Sequence, residues 1–217
     1  VSYASHYLGG EITWKSLGGN TYEFTVVLYR ECRYNNGSAA SHPTSVTLQS
    51  NAGVAPVLPK ISVEDVSPKC NSAFFAPGVS LNCSEGDANQ GRIERHVYRN
   101  SNVQLSGTPL PTGWWFWYYG SDRPYTLTNA PGTWGYTIRA AMFPYTVNGV
   151  VQNASTGYDN SPQFLEPPIS VLSPGYVYNY AHYAGDSDLD SLAYSWAPPI
   201  TNNFNASTGS GGALTYA

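Results

Sequence analysis

Three aspartates, Asp186, Asp188 and Asp190, fill every second position of "AGDSDLDSLAYSW", in a chain of which only 11% of residues are charged. In extended backbone, carboxylates at i and i+2 project to one side, roughly 7 Å apart. Such a pair repels by about 2.4 kcal/mol at an effective dielectric of 20, and by about 0.6 kcal/mol in open water. A bound cation would relieve that repulsion. Clustered oxygen donors with no nitrogen or sulfur beside them select Ca2+ rather than zinc. Asp186, Asp188 and Asp190 are therefore the candidate metal ligands, and Ca2+ is the one candidate cofactor. A solvated acidic loop capping a strand is the competing reading. A hydrolase is the third, because Gly185-Asp186-Ser187 offers a serine. That nucleophile would need a base and an orienting acid in hydrogen-bond reach, and with His182 upstream the sequence offers no such set. Glycan cleavage would need two carboxyl groups about 5–9 Å apart, whereas Glu85, Asp87, Glu94, Asp122 and Asp159 are scattered. No catalytic residue is assigned, and the chain is read as a non-enzyme.

The second chemical anomaly is aromatic: "TGWWFWYYGS". In a strand, Trp114, Phe116 and Tyr118 face one way and Trp115, Trp117 and Tyr119 the other. One set can fill a core. The other leaves a large apolar surface that monomers seldom expose without use. A second sheet or a neighbouring domain could cover it, sugars could stack on it, or a protein could dock there. Trp115, Trp117 and Tyr119 are accordingly the candidate interaction surface.

Cysteine chemistry is sparse. Cys70 and Cys83 flank "NSAFFAPGVSLN", and a bridge between them would close a loop worth roughly 3 kcal/mol. Reduced, buried thiols are the alternative, and Cys32 has no evident partner. No Cys-x-x-Cys pair or Cys/His cluster supports zinc. His6, His42, His96 and His182 read as structural hydrogen-bonders.

The elements that must position these groups repeat every two residues. "GEITWKS" alternates Ile12 and Trp14 with polar neighbours, and "TYEFTVVLYREC" places Tyr22, Phe24, Val26 and Leu28 on one face. Joined through Gly-Gly-Asn, the two runs predict a β-hairpin. "TSVTLQS", "VAPVLPKISV", "GRIERHVYRNSNVQL" and "TWGYTIRAAMF" continue the rhythm, and "TVNGVV" predicts a type I′ hairpin. No window carries a 3.6-residue period. Short strands between Gly/Pro/Asn turns predict an all-β sandwich.

Composition agrees. Eighteen tyrosines, six tryptophans, 21 glycines and 16 prolines in 217 residues, with few charges, describe an extracellular β-protein. A net charge of −4 gives no basic patch for nucleic acid. No apolar run reaches the eighteen or so residues of a membrane span. Val1 opens no basic-then-apolar leader, so a secretion signal is expected to have been removed already. Four prolines in 156–175 cannot sit within a sheet, which places a domain junction near residue 160. The expected division is an N-terminal sandwich domain, 1–158, and the start of a second β domain, 159–217, too short for a full sandwich. Truncation of a longer chain is the favoured reading of the tail.

"ASHYLGGEITWKSLGGNTYEFTVVLYREC" resembles the opening of large secreted surface proteins of gliding bacteria, through Ser5, His6, Gly9, Gly10, Glu11, Ile12, Tyr29, Arg30 and Cys32. "DNSPQFLEPPISVLSPGYVYNYAHYAGDSDLDSLAYSW" is similar to the same family's Asn-Ser-Ser-Pro segment and its Asp-x-Asp-Gly-Asp loop, found in cadherin-like and immunoglobulin-like repeats. The family's spaced cysteine pair matches Cys70 and Cys83. Leu189 replaces the loop glycine, although leucine does not readily take a positive φ. The resemblance implies an immunoglobulin-like sandwich, type IX secretion to the outer cell surface, a gliding-motility-associated adhesin architecture and no catalysis. Expected partners are other subunits or cell-surface proteins, self-assembly included. The alternative function is a carbohydrate-binding module that uses the strand at 114–119.

Overall fold

The computed structural model describes residues 7–31, 43–67, 93–120, 135–144, 146–151, 159–166, 168, 175, 177, 179, 183–201 and 203–211. Cys32, Cys70, Cys83, His6, His42, His182, Glu85, Asp87 and Asp122 lie outside the described residues, and so does the expected disulfide.

Strands β1 (Tyr7–Gly18) and β2 (Thr21–Glu31) form the expected hairpin. Gly19 and Asn20 at its tip take φ of 58° and 63°. Positive φ at both central residues matches the right-handed twist of the flanking strands. β3 (Ser45–Thr47), β5 (Val57–Asp65) and β6 (Ile93–Gln104) complete a sheet ordered β1-β2-β6-β5-β3. β4 (Gln49–Ser50), β7 (Trp114–Gly120) and β8 (Tyr136–Met142) make a second sheet, ordered β4-β7-β8. "TSVTLQS" reads as one strand in sequence but serves both sheets, because the fully buried Leu48 marks the crossover between β3 and β4. β9 (Thr146–Val147) and β10 (Val150–Val151) form the Asn-Gly hairpin, with Asn148 and Gly149 at φ 51° and 79°. Every strand pair is antiparallel, and no helix occurs among the described residues.

The two sheets face each other. Ile12, Trp14, Tyr22, Phe24, Val26, Leu28, Leu58 and Tyr98 from the larger sheet meet Trp114, Phe116, Tyr136 and Met142 from the smaller. Phe24 and Phe116 stand at the middle, ring centroids 4.6 Å apart. The two-residue rhythm thus sets the inward face of β2 and β7 as sequence implied. β6 is subtler: its inward residues include His96 and Tyr98, both fully buried. The His96 Nε2 and Glu94 Oε2 atoms are 3.0 Å apart, so this histidine is a structural hydrogen-bonder. Val27, Tyr29, Ile93 and Val97 form a smaller apolar cluster on the outer face.

One edge of each sheet, β1 and β8, is met by residues beyond 158, which limits stray strand pairing there. At β1, Ser161 N–H donates to the Trp14 carbonyl (3.0 Å) and Trp14 N–H to Ser161 Oγ (2.8 Å). At β8, Thr137 pairs with Ile200. The alternating Leu192, Tyr194 and Trp196 form no strand; residues 191–199 lie outside any ladder, with Tyr194 and Trp196 exposed.

Candidate functional site

The outward aromatic face rests on a pinned strand. Asn51 holds β7 by both ends of its amide: Oδ1 accepts from Trp115 N–H (2.7 Å) and Nδ2 donates to the Gly113 carbonyl (3.2 Å). Trp115 Nε1 donates to the Thr112 carbonyl at 2.8 Å. Trp115 and Trp117 point outward and are half-buried, while Tyr119 is 38% exposed.

The chain itself supplies their cover. Thr137 N–H donates to the Ile200 carbonyl (3.0 Å), and Thr137 Oγ1 donates to the Thr201 carbonyl, so Ile200 and Thr201 are fixed on β8. Ile200 and Thr201 are buried. A turn follows, closed by Asn205 N–H to Ser210 carbonyl (2.7 Å) and Ser207 N–H to Asn205 Oδ1 (2.9 Å). It sets Phe204 against Trp115 and Trp117, with centroids 5.5 and 5.1 Å apart. These are the separations and tilts aromatic pairs favour. Gly209 lies so close that a Cβ there would meet Trp115 Cζ2 at 2.4 Å. Arg139, opposite Trp117 on β8, places its guanidinium 5.3 Å from the Trp115 ring and 5.5 Å from Phe204. Burial pushes the Arg139 pKa down, but arginine retains its charge and the ring faces stabilise it there. We expect Phe204→Ala to forfeit about 1–2 kcal/mol of aromatic packing and to expose residues 200–211 to protease while the sandwich stays intact. Cleavage no faster than in the parent chain would show that Phe204 does not hold the segment.

The aspartates form a turn, not an extended row. Asp186 Oδ1 accepts Asp188 N–H (2.8 Å) and lies 3.5 Å from Asp190 N–H. Leu189, despite its side chain, takes φ 64°. Asp188 reaches out of the loop: Oδ2 accepts Asn160 N–H (2.6 Å), and both oxygens accept Asn160 Nδ2 (2.9 and 3.0 Å). Asn160 Oδ1 in turn accepts Ser16 N–H at 2.7 Å, and Trp14 Nε1 donates to the Asp159 carbonyl at 3.1 Å. Among the described residues no group of three His, Cys, Asp or Glu is placed to hold a metal. The hydrogen bonds through Asp188 and Asn160 form a clasp joining the loop to β1. Asp188→Ala should lower the unfolding midpoint by a few degrees, from lost charge-assisted bonds of about 1.5–3 kcal/mol, with EDTA leaving the parent midpoint unchanged. A chelator-sensitive midpoint would favour the Ca2+ reading instead.

A cleft of ≈ 150 Å³ opens on the outer face of β1, β2 and β6. Glu11, Lys15, Glu23, Arg95 and Arg99 line it, and Phe164 roofs it from the small hairpin of β11 (Gln163–Phe164) and β12 (Ala184–Gly185). Arg99 pairs with Glu23 and Arg95 with Glu64, each at 3.6 Å. Burial holds the Glu11 carboxyl above its ordinary range, against a backbone hydrogen bond from Phe164 and the nearby Arg95 charge. Its raised folded pKa means that the proton favours the folded state. That contribution is present below the ordinary carboxylate pKa and is lost as pH rises through the folded value. Glu11→Gln should therefore match the parent chain in acid and gain on it towards neutrality. A gain that shrinks with rising pH would contradict this assignment.

Sequence reasoning placed Trp115, Trp117 and Tyr119 on one face and grouped the aspartates, and the structure keeps both groups together locally. It missed Phe204, Arg139 and Asn160. Phe204 is the only large apolar residue in "TNNFNASTGSGG", a signal that a linker-like composition obscured. Ser187 is exposed, and the described residues give it no histidine partner. No protein-family model, curated protein or solved structure matches this chain.

Proposed function

We propose that the chain is a non-catalytic structural and adhesive module of a secreted bacterial cell-surface protein, working through protein–protein or surface contacts. The observation that carries this reading is the packing of Phe204 over Trp115 and Trp117, with Gly209 close against Trp115. The most ligand-like surface in the sequence is used to fasten one part of the chain to another, as in proteins built from stacked β modules. The resemblance of both terminal blocks to surface proteins of gliding bacteria supports an immunoglobulin-like sandwich at 1–158, a second β domain beginning at 159, and export to the outer surface. A disulfide between Cys70 and Cys83 belongs to the same proposal.

Carbohydrate binding is the weaker alternative, since a sugar stacking on Trp115 or Trp117 would have to displace Phe204 and Arg139. Of the three outward aromatics of β7, Tyr119 is the exposed one. Two assays test the proposal. Beads carrying the chain should resist shear on a cell-envelope-coated surface better than albumin beads, and hydrolase panels should be silent. Retention equal to albumin, or a hydrolysis lost on Ser187→Ala, would contradict it. Glycan-array binding abolished by Trp117→Ala with folding intact would favour the carbohydrate module.

A further inference from the structure

We propose that the cleft on the outer face of β1, β2 and β6 binds an acidic sugar, a hexuronate unit of a surface glycan, with Lys15, Arg95 and Arg99 as the cations that receive its carboxylate. This rests on the proposed adhesive role and names one surface component that the module grips. The site is separate from the Trp115–Trp117 face.

Strand register builds the cleft. Thr13, Thr25 and Arg99 stand abreast on the three strands, with Lys15 and Glu23 paired in the next outward row and Glu11, Val27 and Val97 in the row on the other side. Residues at i and i+2 of a strand share a face, so these rows project together. The chain is acidic overall, yet Lys15, Arg95 and Arg99 gather here, out of a described set whose other lysines and arginines are Arg30, Lys60 and Arg139. Facing these three cations in the lining are two carboxylates, Glu11 and Glu23.

The cations are loosely paired. Arg99 Nε stands 3.6 Å from Glu23 Oε1, and Arg95 Nη1 stands 3.6 Å from Glu64 Oε2, both beyond hydrogen-bond length. Among the described residues Lys15 forms no ion pair, and the one hydrogen bond from either guanidinium runs from Arg99 Nε to Thr25 Oγ1 at 3.3 Å. A guanidinium carries five N–H donors in a rigid fork that matches a carboxylate, so most of these donors are left for a ligand.

The rest of the lining selects a sugar over other anions. Glu11 and Glu23 would repel the crowded carboxylates of an acidic peptide, but they accept hydrogen bonds from sugar hydroxyls. Thr13 and Thr25 add hydroxyls of their own, and Phe164 supplies an apolar wall for the C–H face of a pyranose ring. A few placed polar groups beside an apolar surface are the usual makeup of a small-ligand site. The cleft, at ≈ 150 Å³, is smaller than the roughly 300–1,000 Å³ of drug-sized pockets. It therefore holds a single ring, with the rest of the glycan outside.

Calorimetric titration of the full chain with oligogalacturonate, oligomannuronate and a hyaluronan oligosaccharide tests this. At least one should bind saturably, with a Kd of about 1 mM or tighter. The methyl ester of that oligomer, which keeps its hydroxyls and loses its charge, should bind about tenfold more weakly or worse. Lys15→Gln and Arg99→Gln should each weaken the free acid by a similar factor with unchanged circular dichroism, since Lys15 is exposed and Arg99 is 43% exposed. Lys60→Gln removes the same charge outside the lining and should bind as the parent chain does. No binding of any of the three oligomers, an ester that binds equally well, a loss on Lys60→Gln as large as that on Lys15→Gln, or tetraglutamate binding as tightly as the uronate would overturn the inference. Silent titrations beside intact bead retention under shear would remove this ligand and leave the adhesive reading in place.

Discussion

Phe24→Ala is expected to destabilise the chain by about 3–5 kcal/mol, lowering the unfolding midpoint by roughly 10 °C. Phe24 is fully buried in the middle of β2 and its ring meets Phe116 of the opposite sheet at 4.6 Å. Trp14 and Tyr22, both at 6.4 Å, complete an aromatic cluster around it. Truncation removes the ring's transfer free energy and leaves a cavity that four surrounding strands cannot close without breaking ladders. Thermal unfolding by circular dichroism measures the effect. A midpoint shift under 2 °C would mean that the two sheets do not meet at this point.

Gly10→Ala should be comparably severe, for a different reason. A Cβ at position 10 would lie 2.3 Å from the Val27 carbonyl oxygen and 2.9 Å from a Leu28 methyl. The nearer atom is backbone of the paired strand, so β1 and β2 must part for the methyl to fit. Overpacking of this kind costs about 1–3 kcal/mol where side chains yield, and more is expected where a ladder must open. At Gly9 the strain is conformational instead: nothing lies near its missing Cβ, but its φ of 158° is one that residues with side chains rarely adopt. A Gly10→Ala midpoint shift of no more than a degree or two would contradict the register of the hairpin.

Local periodicity carries most of the fold. Tyr22, Phe24, Val26 and Leu28 declare their shared face by spacing alone, and Asn148-Gly149 declares its hairpin by its φ requirements. What spacing cannot convey is which sheet a strand joins. "TSVTLQS" looks uniform, yet Leu48 turns the chain from one layer into the other. The site was legible by half. The outward set Trp115, Trp117 and Tyr119 follows from alternation, but its cover comes from residues some ninety positions later, in a segment whose composition resembles a linker. Long-range contacts of this kind leave no periodic trace. The geometry of the aspartates is hidden for a related reason: their i, i+2 spacing means a row of carboxylates only if the backbone is extended. Asp186 bends it into a turn by accepting the N–H of Asp188, and Asp188 then finds Asn160, 28 residues earlier. Leu189 at positive φ shows that the turn holds a conformation its residue type disfavours.

The central claim is that the chain closes its own aromatic face, and one measurement reads that contact without mutation. In protein with labelled Phe and Trp side chains, at a concentration where light scattering shows monomer, nuclear Overhauser effects should connect the Phe204 ring to the Trp115 and Trp117 indoles. With centroids 5.5 and 5.1 Å apart, the facing ring protons come well within range. Cross-peaks from Phe204 to neither indole, with the Phe24–Phe116 contact present in the same spectrum, would leave that face open and contradict the account.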